Sequence, residues 1–218
     1  MTEARSIHPY VYGMAAVHKI YRSALSSAPA LIESAVGDEH RRALVANYYA
    51  NILASVASHH GGEEECLFPL LIERAPEQRD VVELGIDEHR RVLALLATAK
   101  TANAGWESKG DAEAQKLVGA LGLLERELSA HLDHEEGMIV PLAIEHVTAE
   151  EWATVPAHGV AHFEGDKLWL IVGLDLENRT PEQRAAMLDN LTPAWREWWD
   201  TVGEPSFNDM IAEVRQTH

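Results

Sequence analysis

One frame of residues occurs twice in this chain. His59 to Leu70, HHGGEEECLFPL, returns in skeleton as His131 to Leu142, HLDHEEGMIVPL, 72 residues further on. In each copy His-x-x-x-Glu is followed by a proline six residues after the glutamate, so that His59, Glu63 and Pro69 answer to His131, Glu135 and Pro141. Upstream, His18 in VHKIYRSAL and His89 in EHRRVLALL stand 71 residues apart, and each opens a run with amphipathic helical period. The order His, HxxxE, His, HxxxE is the outline of a duplicated pair of helical hairpins.

On a helix, residues four apart share a face, so each HxxxE pair aims an imidazole and a carboxylate at one point. His59 and Glu63 continue a stripe through Ile52, Val56, Cys66 and Leu70, and His131 and Glu135 one through Leu124, Leu128, Met138 and Leu142. His18 interrupts Val11, Met14, Tyr21 and Leu25; His89 interrupts Val82, Ile86, Leu93 and Leu96. All four are apolar faces that should point at a core. Carboxylates in such a place are costly without a positive partner, and no Lys or Arg shares these stripes near the glutamates. A metal site built from His18, His59, Glu63, His89, His131 and Glu135 is therefore expected. His60 and His134 are secondary candidates as ligands. Each lies roughly 60 to 100 degrees round its helix from the nearest ligand, which favours an outer or solvent-facing role.

This pattern, with the LFP and IVP tails after each HxxxE, resembles the hemerythrin-like family, also called the HHE cation-binding domain, from about Pro9 to Glu145. The resemblance implies an all-α fold, an antiparallel four-helix bundle around a non-haem di-iron centre with an oxo or hydroxo bridge. It further implies terminal imidazoles from His18, His59, His89 and His131, and Glu63 and Glu135 as bridging carboxylates. The fuller hemerythrin set has an additional histidine on the third helix; here the turn after His89 reads Arg90, Arg91, Val92 and Leu93. Imidazole and carboxylate without thiolate suit iron, with manganese or zinc as alternatives. Two coordination positions would stay open or hold water, leaving room for dioxygen, peroxide or nitric oxide.

The bundle is expected over residues 9–147, and 148–218 as a Trp-rich helical extension packed on it. Pro9 suits a helix start, and Pro29 should stop the first helix near Ala28. Asp38 is a candidate N-cap for the second. The third helix should run from between Pro76 and Asp80 to Ala102, where Asn103, Gly105 and Gly110 suggest a loop and Asp111 the next N-cap. Gly61 and Gly62 fall inside a helix and need a reason, such as a kink or room for metal, oxygen or a neighbouring helix. His40 repeats the surroundings of His89 but starts a helix far from His59, and is expected in solvent. The extension holds Trp152, Trp169, Trp195, Trp198 and Trp199, a density that implies burial on the bundle or in a homodimer, with prolines dividing it into three or four short helices. His158 and His162 form HxxxH without carboxylates, a weak metal pair.

A formal net charge of -17 with 12 histidines argues against nucleic acid or an anionic membrane as partner. No apolar run is long enough to span a bilayer, and the single Cys66 fits a reducing compartment, so a cytoplasmic protein is expected. Three functions are compatible with these residues: a di-iron protein that binds or senses dioxygen or a related small redox ligand, a di-iron enzyme acting on peroxide, and a metal-free interaction bundle.

Overall fold

The computed structural model describes residues 9–216, with side chains from residue 13 onward. The lead-in before Pro9 and the side chain of Val11 lie outside what is described. Among the described residues the chain is helical throughout, with no strand. The first part comprises α1 (Pro9–Ser26), α2 (Ala28–Glu33), α3 (Glu39–Gly62), α4 (Phe68–Arg74), α5 (Arg79–Lys109), α6 (Ala114–His134) and α7 (Val140–His146). After these come α8 (Ala149–Trp152), α9 (Thr154–Ala161), α10 (Leu168–Glu177), α11 (Pro181–Asp189), α12 (Pro193–Trp198) and α13 (Glu204–Arg215). The extension thus holds six short helices rather than three or four.

Three five-residue π-helical segments, Glu63–Leu67, Glu135–Ile139 and Trp199–Gly203, join α3 to α4, α6 to α7 and α12 to α13. Their common cause is proline. Pro69, Pro141 and Pro205 each stand two residues beyond a π segment. A proline has no N–H to give the carbonyl four residues back, and its ring would strike that carbonyl, so the preceding turn widens instead of breaking. The third segment holds no His, which separates the widening from the HxxxE motif.

The inserted residue rotates everything after it. The expected inward positions Cys66 and Leu70 are only part-buried, while Leu67 and Leu71 are fully buried. Likewise Met138 is 47 % exposed and Ile139 takes its place at 0 %. Both stripes are therefore corrected by one residue beyond each glutamate. On α5 a smaller deviation puts Val92 in the core and Leu93 outside.

Helix boundaries follow local chemistry where it is strong and tertiary contact where it is not. Asp38 caps α3, its carboxylate accepting from the Arg41 N–H. Pro29 opens α2 instead of merely ending α1. The loop expected after Ala102 is absent: α5 continues to Lys109, because Asn103 donates to the Ala46 carbonyl at 2.8 Å and Trp106 is fully buried. Gly110, at φ +83°, ends the helix, and Asp111 begins a short 3₁₀ turn instead of capping α6.

The core has two apolar layers. The larger gathers Tyr21, Leu25, Tyr49, Ile52, Leu96, Leu124 and Leu128 with Trp199 and Phe207 of the extension. The smaller holds Leu67, Phe68, Leu71, Val82, Ile139 and Ala143. Between the residues of the two layers, in sequence along α3, α5 and α6 with their continuations, lie His59, Glu63, His89, His131 and Glu135. The extension packs through α9 and α10 on α3, and through α10 on α1. At its end α13 meets α3, where buried Arg41 donates to the carbonyls of Glu213, Val214 and Gln216. Gly62 is required by this contact: a Cβ there would stand 2.7 Å from the Val155 carbonyl oxygen of α9. A neighbouring helix, then, accounts for that glycine.

Candidate metal centre

His18 and His59 enter from α1 and α3, His89 from α5, His131 from α6; Glu63 and Glu135 open the two π segments. Apart from His59, whose side chain is 10 % exposed, all of these are buried. Their facing atoms converge. His59 Nε2 is 3.3 Å from Glu63 Oε1, and His89 Nε2 is 3.5 Å from Glu63 Oε2. His18 and His131 Nε2 each lie 3.4 Å from Glu135 Oε2, with His89 Nε2 3.6 Å from Glu135 Oε1. Each carboxylate so presents one oxygen toward His89 and the other toward the histidine four residues before it, which for Glu135 is shared with His18.

His60 joins them. It is fully buried, its ring stacked on that of His89 at 4.2 Å and edge-on to His131 at 5.0 Å. The angular argument that set it aside treated α3 as having one inner face. In the fold α3 packs on α1 and on α5, so His59 and His60 border the same layer from two adjacent faces. Two groups result, His18, His59, Glu63 and Glu135, and His60, His89 and His131, the donor atoms of each lying within 4.8 Å of one another. His134 is left outside, its Nδ1–H donating to Glu88 at 2.7 Å. His40 is exposed. His158 and His162 stack on each other at 4.0 Å on α9 and its end, away from either group.

The imidazoles are oriented from behind by carboxylates that sequence reasoning did not single out. His18 Nδ1–H donates to Glu136 at 2.8 Å, His89 Nδ1–H to Glu64 at 3.0 Å, and His131 Nδ1–H to Glu88 at 3.2 Å. Fixing the proton on Nδ1 turns the Nε2 lone pair inward, the arrangement a metal-binding histidine needs. Their signal was adjacency: Glu64 follows Glu63, Glu136 follows Glu135 and Glu88 precedes His89. The Glu136 carboxyl is held down to about 2, first by the His18 hydrogen bond and then by Arg22 against the cost of burial.

Burial and the crowding of imidazoles favour the neutral form of three of the histidines. Burial, then the neighbouring His18, pushes His59 down to about 3; burial and His89 push His60 well below the ordinary imidazole range; burial lowers His131. Glu63 is driven up by burial and by the facing Glu135 carboxylate. Against burial, the facing His89 and then the nearby His131 hold Glu135 down. Both nitrogens of His60, Nε2 of His89 and His131, and all four oxygens of Glu63 and Glu135 are buried with no hydrogen-bond partner among the described residues. Orphaned polar atoms at this density would destabilise the fold by about 1–3 kcal/mol each. One or two cations at their centre would take the four carboxylate oxygens, the His89 and His131 Nε2 atoms and one nitrogen of His60, so these residues fit a metal.

An all-helical chain with a buried layer of imidazoles and carboxylates belongs to the class of helical metal-binding proteins. Residues 11–143 match the family model of the hemerythrin HHE cation binding domain, and the chain belongs to that family. Searches of curated proteins and of solved structures returned no significant match.

Proposed function

We propose that the chain is a non-haem di-iron protein that binds or senses dioxygen or a related small redox ligand. The observation that carries this reading is the convergence of unpartnered Nε2 and carboxylate oxygen atoms in a buried layer. In the proposal α1, α3 with α4, α5, and α6 with α7 form an antiparallel four-helix bundle over residues 9–147, with 148–218 as its extension in a cytoplasmic protein. His18 and His59 would hold one ion, His60, His89 and His131 the other, and Glu63 and Glu135 would bridge them.

The count of donors gives the pair a direction. If each ion takes six ligands and one oxo or hydroxo bridge is shared, five imidazoles and two bridging carboxylates leave about one position open. That position falls to the side of His18 and His59, since His60 completes the other. When bound, two irons would supply reversible electron exchange with a small oxygen or nitrogen ligand. The protein's own part is to hold five neutral lone pairs in place and to exclude water with the apolar layers above and below. Tyr21, the nearest phenol, donates to the Ser55 carbonyl and is kept protonated by burial, so it takes no proton from a ligand at ordinary pH.

Metal content of protein purified without chelator, followed by optical spectra under dioxygen and then peroxide, tests the reading. Two irons per chain and a stable oxygenated band are expected. Gas evolution from peroxide would favour an enzyme instead, and a metal-free protein would leave an interaction bundle.

A further inference from the structure

Where the extension crosses α1 and α3 it closes over a cavity of about 300 Å³. Its walls are Met14 and Val17 of α1, Val155 and Val160 of α9, and Ile171 and Val172 of α10, and the ring of His59 forms part of one side. His59 is also the proposed ligand that retains exposed surface, and the cavity is what it faces. We propose that this cavity binds a small uncharged apolar organic molecule, held against His59 beside the metal centre. Binding stands without the metal reading; its coupling to the centre rests on that reading.

Size and polarity select the class. An apolar cavity of about 150 Å³ is enough to admit benzene, so this one suits a molecule of one or two rings, or an equivalent branched chain, rather than a diatomic gas alone. Apart from the His59 ring, the polar groups named on its walls are engaged with one another or with main chain. Tyr21 and Ser55 bond each other at 3.0 Å, the Ser58 hydroxyl donates to the Ser55 carbonyl, and Arg179 grips Asp175 with two hydrogen bonds of 2.9 and 3.1 Å. A charged ligand would find no free counter-ion on these walls, whereas an apolar one loses nothing. Gly13 adds room on the same side: a Cβ there would meet no atom of the described residues within 4 Å.

The probes are 1-naphthylamine, neutral at pH 7.5, and 1-naphthalenesulfonate, the same rings with a negative charge, each titrated by fluorescence into the full chain with and without iron. Tighter binding of the amine by at least ~10-fold is expected in both forms of the protein, because a buried charge without a partner is strongly penalised. Gly13→Phe, which adds bulk to open space in a helix, should weaken that binding at least ~10-fold with an unchanged melting temperature. Val160→Trp, from the opposite wall, should do the same. In the iron-loaded protein the amine should also shift the optical bands of the centre, and in Gly13→Phe that shift should vanish. Equal binding of the two probes, or full binding by both folded variants, would overturn the proposal. Amine binding in the metal-free chain with no iron uptake at all would instead overturn the metal reading and leave the cavity standing.

Discussion

The two halves of the duplicated frame have diverged at the positions beside the ligands. Residue 60 is His in the first half and its counterpart, Leu132, is apolar; Gly61 and Gly62 stand against Asp133 and His134; Val17 stands against Glu88. In the second half Glu88 gathers His131 and His134 from behind, and Asp133 sits in solvent paired with Arg22. In the first half the glycines admit α9, which covers His59 where no carboxylate does. The same scaffold thus places His18, backed by Glu136, and His59 beside an apolar chamber, and His60, His89 and His131 on the other side. In the proposed reading, duplication sets where the donors stand and a few neighbours decide which side would take a ligand.

The comparison breaks most completely at the residues both halves share. Glu63→Ala and Glu135→Ala should each reduce iron from two per chain to at most one, since each carboxylate faces histidines of both halves. Two irons retained in either variant, by elemental analysis, would remove the bridging assignment. Stripping the metal from the wild type should lower the melting temperature, by an amount equivalent to about 4 kcal/mol at a free metal concentration 1,000 times Kd.

Acid should unfold the metal-free protein mainly through the first half. His59 and His60 have folded pKa values below the unfolded 6.5, so their contribution is complete above pH 6.5 and is lost as pH falls toward about 3 for His59. His131 acts in the same direction. Glu63, raised in the fold, works the opposite way, contributing below the unfolded carboxylate pKa of 4.5 and losing that contribution as pH rises through its folded value. Urea midpoints should therefore drop between pH 7 and 5, and drop less in His60→Leu. Midpoints that stay level over that range would argue that the histidines are not buried neutral.

Gly62→Leu should cost about 1–3 kcal/mol and loosen the extension, because the new side chain meets main chain of α9 that cannot turn aside. His134→Ala, its counterpart, should cost under about 1 kcal/mol, as a part-buried residue whose carboxylate partner keeps His131. Protease resistance of the extension, read beside urea midpoints, separates the two; equal effects would deny the asymmetry. A gain in stability is expected from His60→Leu, which restores symmetry with Leu132. It should raise the metal-free melting temperature, by the equivalent of about 1–3 kcal/mol, by removing an unpartnered buried ring, yet lower iron affinity at one of the two positions. A variant that binds both irons as tightly as the wild type would show that His60 is packing only.

The family and the donor layer were legible because HxxxE at helical spacing survives any later change of packing. What lay beyond each glutamate was not, since reading a constant 3.6-residue period through Pro69 and Pro141 overlooked the turn each proline widens. Cys66, Leu70, Met138 and Leu142 were misplaced by that one residue. Asn103 and Trp106 were read as loop because an asparagine and a nearby glycine mark turns locally, whereas contact with Ala46 and full burial hold them in α5. His60 was undervalued for a related reason: the number of faces a helix turns inward depends on how many helices surround it.

The grip of Arg41 on the end of α13 acts on main chain alone. Its guanidinium takes the carbonyls of Glu213, which also accepts from the Gln216 N–H, and of Val214 and Gln216, at a helix end where carbonyls run short of partners, while Nε donates to the Ser34 hydroxyl. Such a latch measures length and ignores identity. Exposed side chains in that final turn can change so long as the last carbonyls arrive at the same distance from α3, whereas insertion or loss of a single residue before them would leave a buried cation short of acceptors.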